Sequence, residues 1–305
     1  MKILVALPDN NYFLWQMLVQ INNFKKLGLD NDVIYVIGKN SLQKSSVLSN
    51  IMLKSNAKCS YYIFNDERKS PQYSSTLRPH ILAKFFETYP NAEKETFFYI
   101  DPDAILTKKI KFSDFEKDSV WYLSDTRSYI NTQYIKSKSE ILFKEMCDIV
   151  GIDPKIVESN DENAGGAQYV MKNINSDFWR KVENDSEKLY MHMVNTSNIY
   201  NPEHPIQAWT ADMWAVLWNA WHFGHDTKIS KKLDFCWATD LISKWKSTNI
   251  YHNAGAVIDN GYYFLKTKYQ ISPFNKDLKC SDEYCSNNYV KEIKETEKNF
   301  SNILF

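Results

Sequence analysis

Apolar residues in this chain fall into short unbroken runs that alternate with stretches of helical period. The runs Ile3-Leu4-Val5-Ala6-Leu7, Val33-Ile34-Tyr35-Val36-Ile37 and Phe97-Phe98-Tyr99-Ile100 have the continuous apolar character of strands buried on both faces. Residues 12–27 carry apolar side chains at 14, 17, 18, 21 and 24, one face of a helix that Gly28 closes. Residues 42–53 predict a second helix, 59–64 a third strand, and 77–89 a helix that tolerates Pro79 near its start. This alternation predicts an α/β fold with a doubly wound, mostly parallel central sheet flanked by helices.

The later chain continues the theme. Residues 120–123 read as a strand running into Ser124-Asp125-Thr126-Arg127, and 141–150 as a helix stopped by Gly151. A polar loop, 159–166, leads into a strand at 167–171, and its paired glycines suit either a tight turn or close approach of a ligand. Residues 178–194 read as a helix. Thr210 is a suitable N-cap for a helix over 211–223, ended by Gly224. Trp214, Trp218 and Trp221 share one face of that helix, and Asp212 falls in its first turn, where the dipole favours a carboxylate. Residues 276–305 are polar, with a helix over 289–300, and read as an appendage.

The chemistry concentrates where the fourth apolar run ends. Asp101-Pro102-Asp103 follows it directly. On an extended backbone, residues two apart point the same way, so the two carboxylates are expected side by side. They repel unless a cation lies between them. Pro102 ends the strand, at the edge where α/β sheets bind ligands. Hard oxygen donors there suit Mg2+ or Mn2+ holding a diphosphate. The same spacing at Asp30-Asn31-Asp32 lies between a helix and a strand and reads as a turn.

Composition narrows the partners. With 37 basic and 37 acidic residues the net charge is zero, so no bulk electrostatic case exists for nucleic acid or a membrane surface. No stretch approaches the ~20 apolar residues of a membrane span. An aromatic content of 15% fits a protein that handles sugars or bases. Five cysteines without regular spacing argue for reduced thiols, Cys280 and Cys285 included, in a cytoplasm-like compartment.

Taken in order, these pieces resemble the GT-A fold nucleotide-sugar glycosyltransferases, and most of all the glycogenin and lipooligosaccharide galactosyltransferase type. The resemblance covers most of the first ~265 residues in element order, at the scale of a fold. It implies a Rossmann-like GT-A domain over 1–275, with a nucleotide-binding half (1–130) and an acceptor-side half (131–275). It implies that Lys84 contacts the donor and that Asp101 and Asp103 bind metal and diphosphate. Asp125 and Asn163-Ala164-Gly165 match donor-sugar contacts, and His252 of His252-Asn253-Ala254-Gly255 matches a third metal ligand. The family's Lys-Pro-Trp after that histidine is absent, which leaves Lys266 or Lys268 for the leaving diphosphate. Its Asp-Gln-Asp is replaced by Trp209-Thr210-Ala211-Asp212, so Asp212 is either a general base or a donor-orienting group, and retention or inversion stays open.

The expected reaction moves a hexose from a UDP-sugar to an acceptor hydroxyl, with Mn2+ or Mg2+ as cofactor. Arg78 or Lys84 would add a second counter-charge. The nucleotide base is expected near Pro8 to Tyr12, where Tyr12 or Trp15 either stacks on it or belongs to the core. A glycan is the acceptor the resemblance implies, and a hydroxymethylated base in viral DNA is the alternative. Competing readings are a nucleotidyltransferase, which would want a Gly-rich loop that Leu7-Pro8-Asp9-Asn10-Asn11 lacks, and a non-catalytic carbohydrate- or nucleic-acid-binding module.

Overall fold

A computed structural model describes residues 1–43, 46, 48 and 55–301. The helix expected over 42–53 therefore lies outside the described residues for most of its length. Ten strands are described: β1 (Lys2–Pro8), β2 (Val33–Asn40), β3 (Ser60–Asp66), β4 (Phe97–Tyr99), β5 (Ala104–Leu106), β6 (Trp121–Asp125), β7 (Gly165–Met171), β8 (Thr227–Ile229), β9 (Phe235–Trp237) and β10 (Ile250–His252). Among the described residues β5, β9 and β10 form a three-stranded sheet and the other seven form the larger sheet. The molecule is thus a mixed α/β protein, as the alternation of runs predicts. No helix of the described residues is long and apolar enough to cross a membrane.

The chain divides into two compact units. One comprises Lys2–Ile63, Ile100–Phe112 and Lys232–Phe305. In it β1 and β2 run parallel, in register from Ile3 opposite Val33 to Pro8 opposite Gly38. The helix Asn11–Lys26 follows β1, capped by the Asn10 side chain, which accepts from the Phe13 N–H at 3.0 Å. Its inner face is not purely apolar. Gln20 donates to the carbonyls of Asp101 and Ala104 at 2.8 and 2.7 Å, and the Asn23 amide pairs with both backbone groups of Leu106. These two side chains hold the segment containing Asp101 and Asp103 against the helix. In the small sheet, β10 lies antiparallel to β5, with His252 opposite Ala104, and parallel to β9, with His252 opposite Trp237. The C-terminal helix, Cys285–Asn299, is longer than its expected span and buries Tyr289, Ile293 and Thr296.

The other unit comprises Met1, Phe64–Tyr99 and Ser113–Lys231. Its strands lie in the order β4-β7-β6-β8, with β7 antiparallel to β4 and β6, and β8 parallel to β6. The helices Leu77–Thr88, Glu140–Val150, Ser176–Thr196 and Ala211–His222 match expected spans to within a few residues. Trp214, Trp218 and Trp221 are all buried.

Three local readings are corrected. Asp101 and Asp103 are not on an extended strand: β4 ends at Tyr99, and the Ala104 N–H donates to the Asp101 carbonyl at 3.1 Å, closing a four-residue turn. Pro102 takes the second position of that turn, where its fixed φ is favoured. Gly165 and Gly166 do not form a turn before β7 but open the strand itself. Thr210 does not cap the following helix through its side chain. Its hydroxyl donates to the Gln207 carbonyl at 2.6 Å and closes a short turn instead.

Candidate metal and diphosphate site

The turn at 101–104 and the end of β10 meet in the first-described unit. Because His252 is the last residue of β10, opposite Ala104, its imidazole is delivered beside both carboxylates. Nε2 of His252 lies 3.3 Å from Asp103 Oδ1 and 3.8 Å from Asp101 Oδ2. One donor atom from each of the three residues falls within 4.8 Å of the others. The imidazole is held flat by Trp237, whose ring is 5.3 Å away at 29°. The Asn253 N–H donates to the Asp103 carbonyl at 3.0 Å, tying the two halves of the cluster through the backbone as well.

Burial and charge set the state of this cluster. Asp103 is 7% exposed and His252 is 8% exposed. Burial alone would raise the Asp103 carboxyl, but the Lys266 ammonium and the His252 ring overrule it and hold the group well below the usual carboxylate range. Lys266 is ion-paired with Asp103 Oδ2. Burial pulls the ammonium down, and Asp103 more than reverses that, so its pKa is raised. Tyr12 is half-buried near the same charges, its phenol raised first by burial and then by Asp103, against Lys266.

Two hard carboxylates and one imidazole are a donor set that Mg2+ and Mn2+ accept. An octahedral ion about 2.1 Å from each ligand sets neighbouring ligands about 3 Å apart. The spacings at His252 are close to that, so the residues present fit a divalent ion.

The remaining expected residues distribute as follows. Trp15 is 1% exposed, and its indole N–H donates to the Tyr269 carbonyl at 2.9 Å, which makes it core. Pro8 ends β1 and accepts from the Asn10 N–H at 3.1 Å. Lys268 is exposed and paired with Asp259. In the other unit Arg78 is ion-paired with Asp212 Oδ2, and the Tyr73 hydroxyl donates to Asp212 Oδ1 at 2.7 Å. The Tyr73 phenol is raised well above its ordinary value by burial and by that carboxylate. Asp125 is gripped by Arg127, which lowers its carboxyl, and Arg127 reaches on to Glu162 at 3.1 Å. Asp125 lies opposite Gly165, and the Asn163 carbonyl accepts from the Thr227 hydroxyl at 3.4 Å. Lys84 pairs with Glu67 at 2.6 Å and donates to the Asn65 carbonyl.

Sequence reasoning missed Gln20 and Asn23, which fix the turn, and Tyr73 and Arg127, which hold Asp212 and Asp125. The signal for the first pair was a polar stripe, Gln16, Gln20 and Asn23, inside a helix otherwise apolar on that face.

No family model matches the chain, and no curated protein does. Among solved structures, WbbM, a bifunctional glycosyltransferase in its apo form, aligns over 98% of this chain with 8% identity and a TM-score of 0.47; the alignment spans about half (51%) of WbbM. The galactosyltransferase LgtC, in complex with donor and acceptor sugar analogs, aligns over 97% of this chain and 96% of its own, with 11% identity and a TM-score of 0.48. LgtC with an active-site substitution gives the same values. These three solved structures are glycosyltransferases, at a distance where the likeness adds no weight to a function.

Proposed function

We propose that the chain is a metal-dependent glycosyltransferase that moves a hexose from a UDP-sugar to an acceptor hydroxyl. The observation that carries this reading is the convergence of Asp101, Asp103 and His252 within 4.8 Å, with Lys266 on the outer oxygen of Asp103. These are two carboxylates and one imidazole, with an ammonium adjoining, which is the equipment for a cation that carries a diphosphate. Asp101, Asp103 and His252 would hold Mn2+ or Mg2+. When bound, the ion supplies charge neutralisation for a departing nucleoside diphosphate.

The chain's own residues do the rest. Gln20 and Asn23 fix the turn so that both carboxylates face His252 without reorganisation, which is the condition for electrostatic stabilisation at low cost. Lys266 is the ammonium nearest to where the diphosphate would sit, and it takes the role left open by the missing Lys-Pro-Trp. Tyr12, half-buried beside those charges, is the aromatic residue available to a base, since Trp15 is core. Roles for Asp125, Asn163 and Asp212 toward sugar hydroxyls, for Gly165 beside them, and for Arg78 or Lys84 as a further counter-charge rest on the sequence resemblance.

The test is release of uridine diphosphate from UDP-hexoses with Mn2+, for the parent protein and for Asp103→Asn. Turnover that requires the ion and is lost in the variant, with its circular dichroism unchanged, supports the reading. Full turnover in excess chelator would sink it. The acceptor is then separable by salt: a DNA acceptor makes apparent affinity fall steeply with log salt, and a glycan does not.

A further inference from the structure

Two cations have a claim on Asp103. Its Oδ1 faces His252 inside the ligand cluster, while its Oδ2 is ion-paired with Lys266. The carboxylate side chain is 10% exposed and the lysine 25%. A carboxylate so withdrawn from water holds an ammonium strongly, because neither charge has an equally good alternative. A divalent ion in the cluster would add two positive charges beside that ammonium, across a single carboxylate. Like charges at that separation oppose each other.

We infer that Lys266 is a built-in counter-ion that keeps the cluster closed to free divalent metal and is handed from Asp103 to an incoming diphosphate. This rests on the metal and diphosphate reading above. Three features of the residue suit it to the exchange. It stands on the short turn Lys266–Lys268, so its head reaches Asp103 along a flexible four-carbon stem. Asp101 adds to its attraction for the cluster, so the whole acidic pair holds it there. Lys268 is exposed and paired with Asp259, and offers no substitute.

The consequence is coupling. Free Mn2+ meets a cluster whose charge is already partly cancelled and binds weakly. A diphosphate draws the ammonium off Asp103, restores the full charge of the pair, and makes metal and diphosphate bind together. By linkage each raises the affinity of the other by the same factor.

The experiment measures Mn2+ binding to the full chain by electron paramagnetic resonance, with Mn2+ alone and then with inorganic pyrophosphate, for the parent and for Lys266→Met. Methionine keeps the length of the stem and removes the charge. The expected result is a crossing. Lys266→Met binds Mn2+ alone about ten-fold more tightly than the parent, a change of about 1.4 kcal/mol, yet retains Mn2+ with pyrophosphate less well. Mn2+ alone should also raise the melting temperature of the variant more than that of the parent. Lys266→Gln serves as a second variant if methionine impairs folding. Equal or weaker binding of Mn2+ alone by the uncharged variants overturns the inference and leaves the metal site standing. Absence of Mn2+ binding in every protein, with or without pyrophosphate, overturns the metal reading itself.

Discussion

Gln20 makes three side-chain hydrogen bonds at once. Its amide donates to two carbonyls of the turn that carries the aspartates, and its own oxygen accepts from the Tyr35 hydroxyl at 3.1 Å. It is 0% exposed, so no water replaces a lost partner without rearrangement. Gln20→Ala removes the side-chain partner of the buried Ala104 carbonyl and Tyr35 hydroxyl, while the Asp101 carbonyl keeps the Ala104 N–H, and is expected to cost about 1–3 kcal/mol in urea denaturation. Because both carbonyls belong to the turn that carries Asp101 and Asp103, Mn2+ affinity should fall together with stability. At Asp103 the two effects separate: Asp103→Asn leaves Lys266 a poorer partner and is expected to cost about 1–3 kcal/mol, less than a fully buried pair would, because the lysine is 25% exposed. Metal binding, measured in the same preparation, should disappear.

At the scale of elements, β7 shows how closely the strand opening is packed. A Cβ on Gly165 would lie 2.5 Å from Ile229 Cδ1 and 2.6 Å from both Leu123 Cβ and the Ser124 carbonyl oxygen. The last two belong to the neighbouring strand's backbone or stand next to it, and neither can swing away. Gly165→Ala is expected to cost about 1–3 kcal/mol, the usual range for overpacking, and to disturb Asp125, its register partner in β6. Asp212 stands at the start of the Ala211–His222 helix, between Arg78 and Tyr73. Asp212→Asn weakens that pairing, and Asp212 is not one of the three candidate metal ligands. The substitution should therefore lower kcat or donor affinity while Mn2+ binding stays at the parent value, and a loss of Mn2+ binding would count against the reading.

The long periodic helices and the apolar strands were legible because burial on both faces writes an unbroken run, and a helical stripe writes its own period. The aspartates and the histidine were legible as residues, since each adjoins a strand end marked by Pro102 or Gly255. Their geometry was not. A strand of three residues such as β5, β9 or β10 is too short to carry a period, and its existence depends on partners far away in sequence. The sequence places the two aspartates on the extended end of a strand rather than in a turn, because the local pattern cannot register hydrogen bonds from Gln20. Arg127 was not anticipated as the partner of Asp125, though only two residues away, because many basic residues of this chain lie near an acidic one.

For the molecule as a whole, the cysteines offer a test that needs no ligand. All five are free thiols. Burial pushes the Cys59 and Cys147 thiols up to about 12, so near pH 8 their thiolate fractions are on the order of 10^-4. Native protein treated with a thiol reagent at that pH should react first at Cys280, which is partly exposed, while Cys59 and Cys147 label only slowly. Unfolding in denaturant should release all five, and a count below five would mean that a disulfide had formed.

The register of β10 against β5 also sets a timetable for synthesis. Asp101 and Asp103 leave the ribosome with β5, but the strand that pairs with β5 and brings His252 is made almost half a chain later. At about 5–20 residues per second, the turn waits on the order of ten seconds with its acidic pair made and its third ligand still unsynthesised. During that interval Gln20, Asn23 and Leu4, whose carbonyl accepts from the Ile100 N–H at 3.1 Å, are already made and available to hold 100–106. We expect the helix Asn11–Lys26 to hold the turn at that stage, so that a nascent chain carrying Gln20→Ala is cleaved near residue 103 by a protease added during translation, where the parent chain is spared.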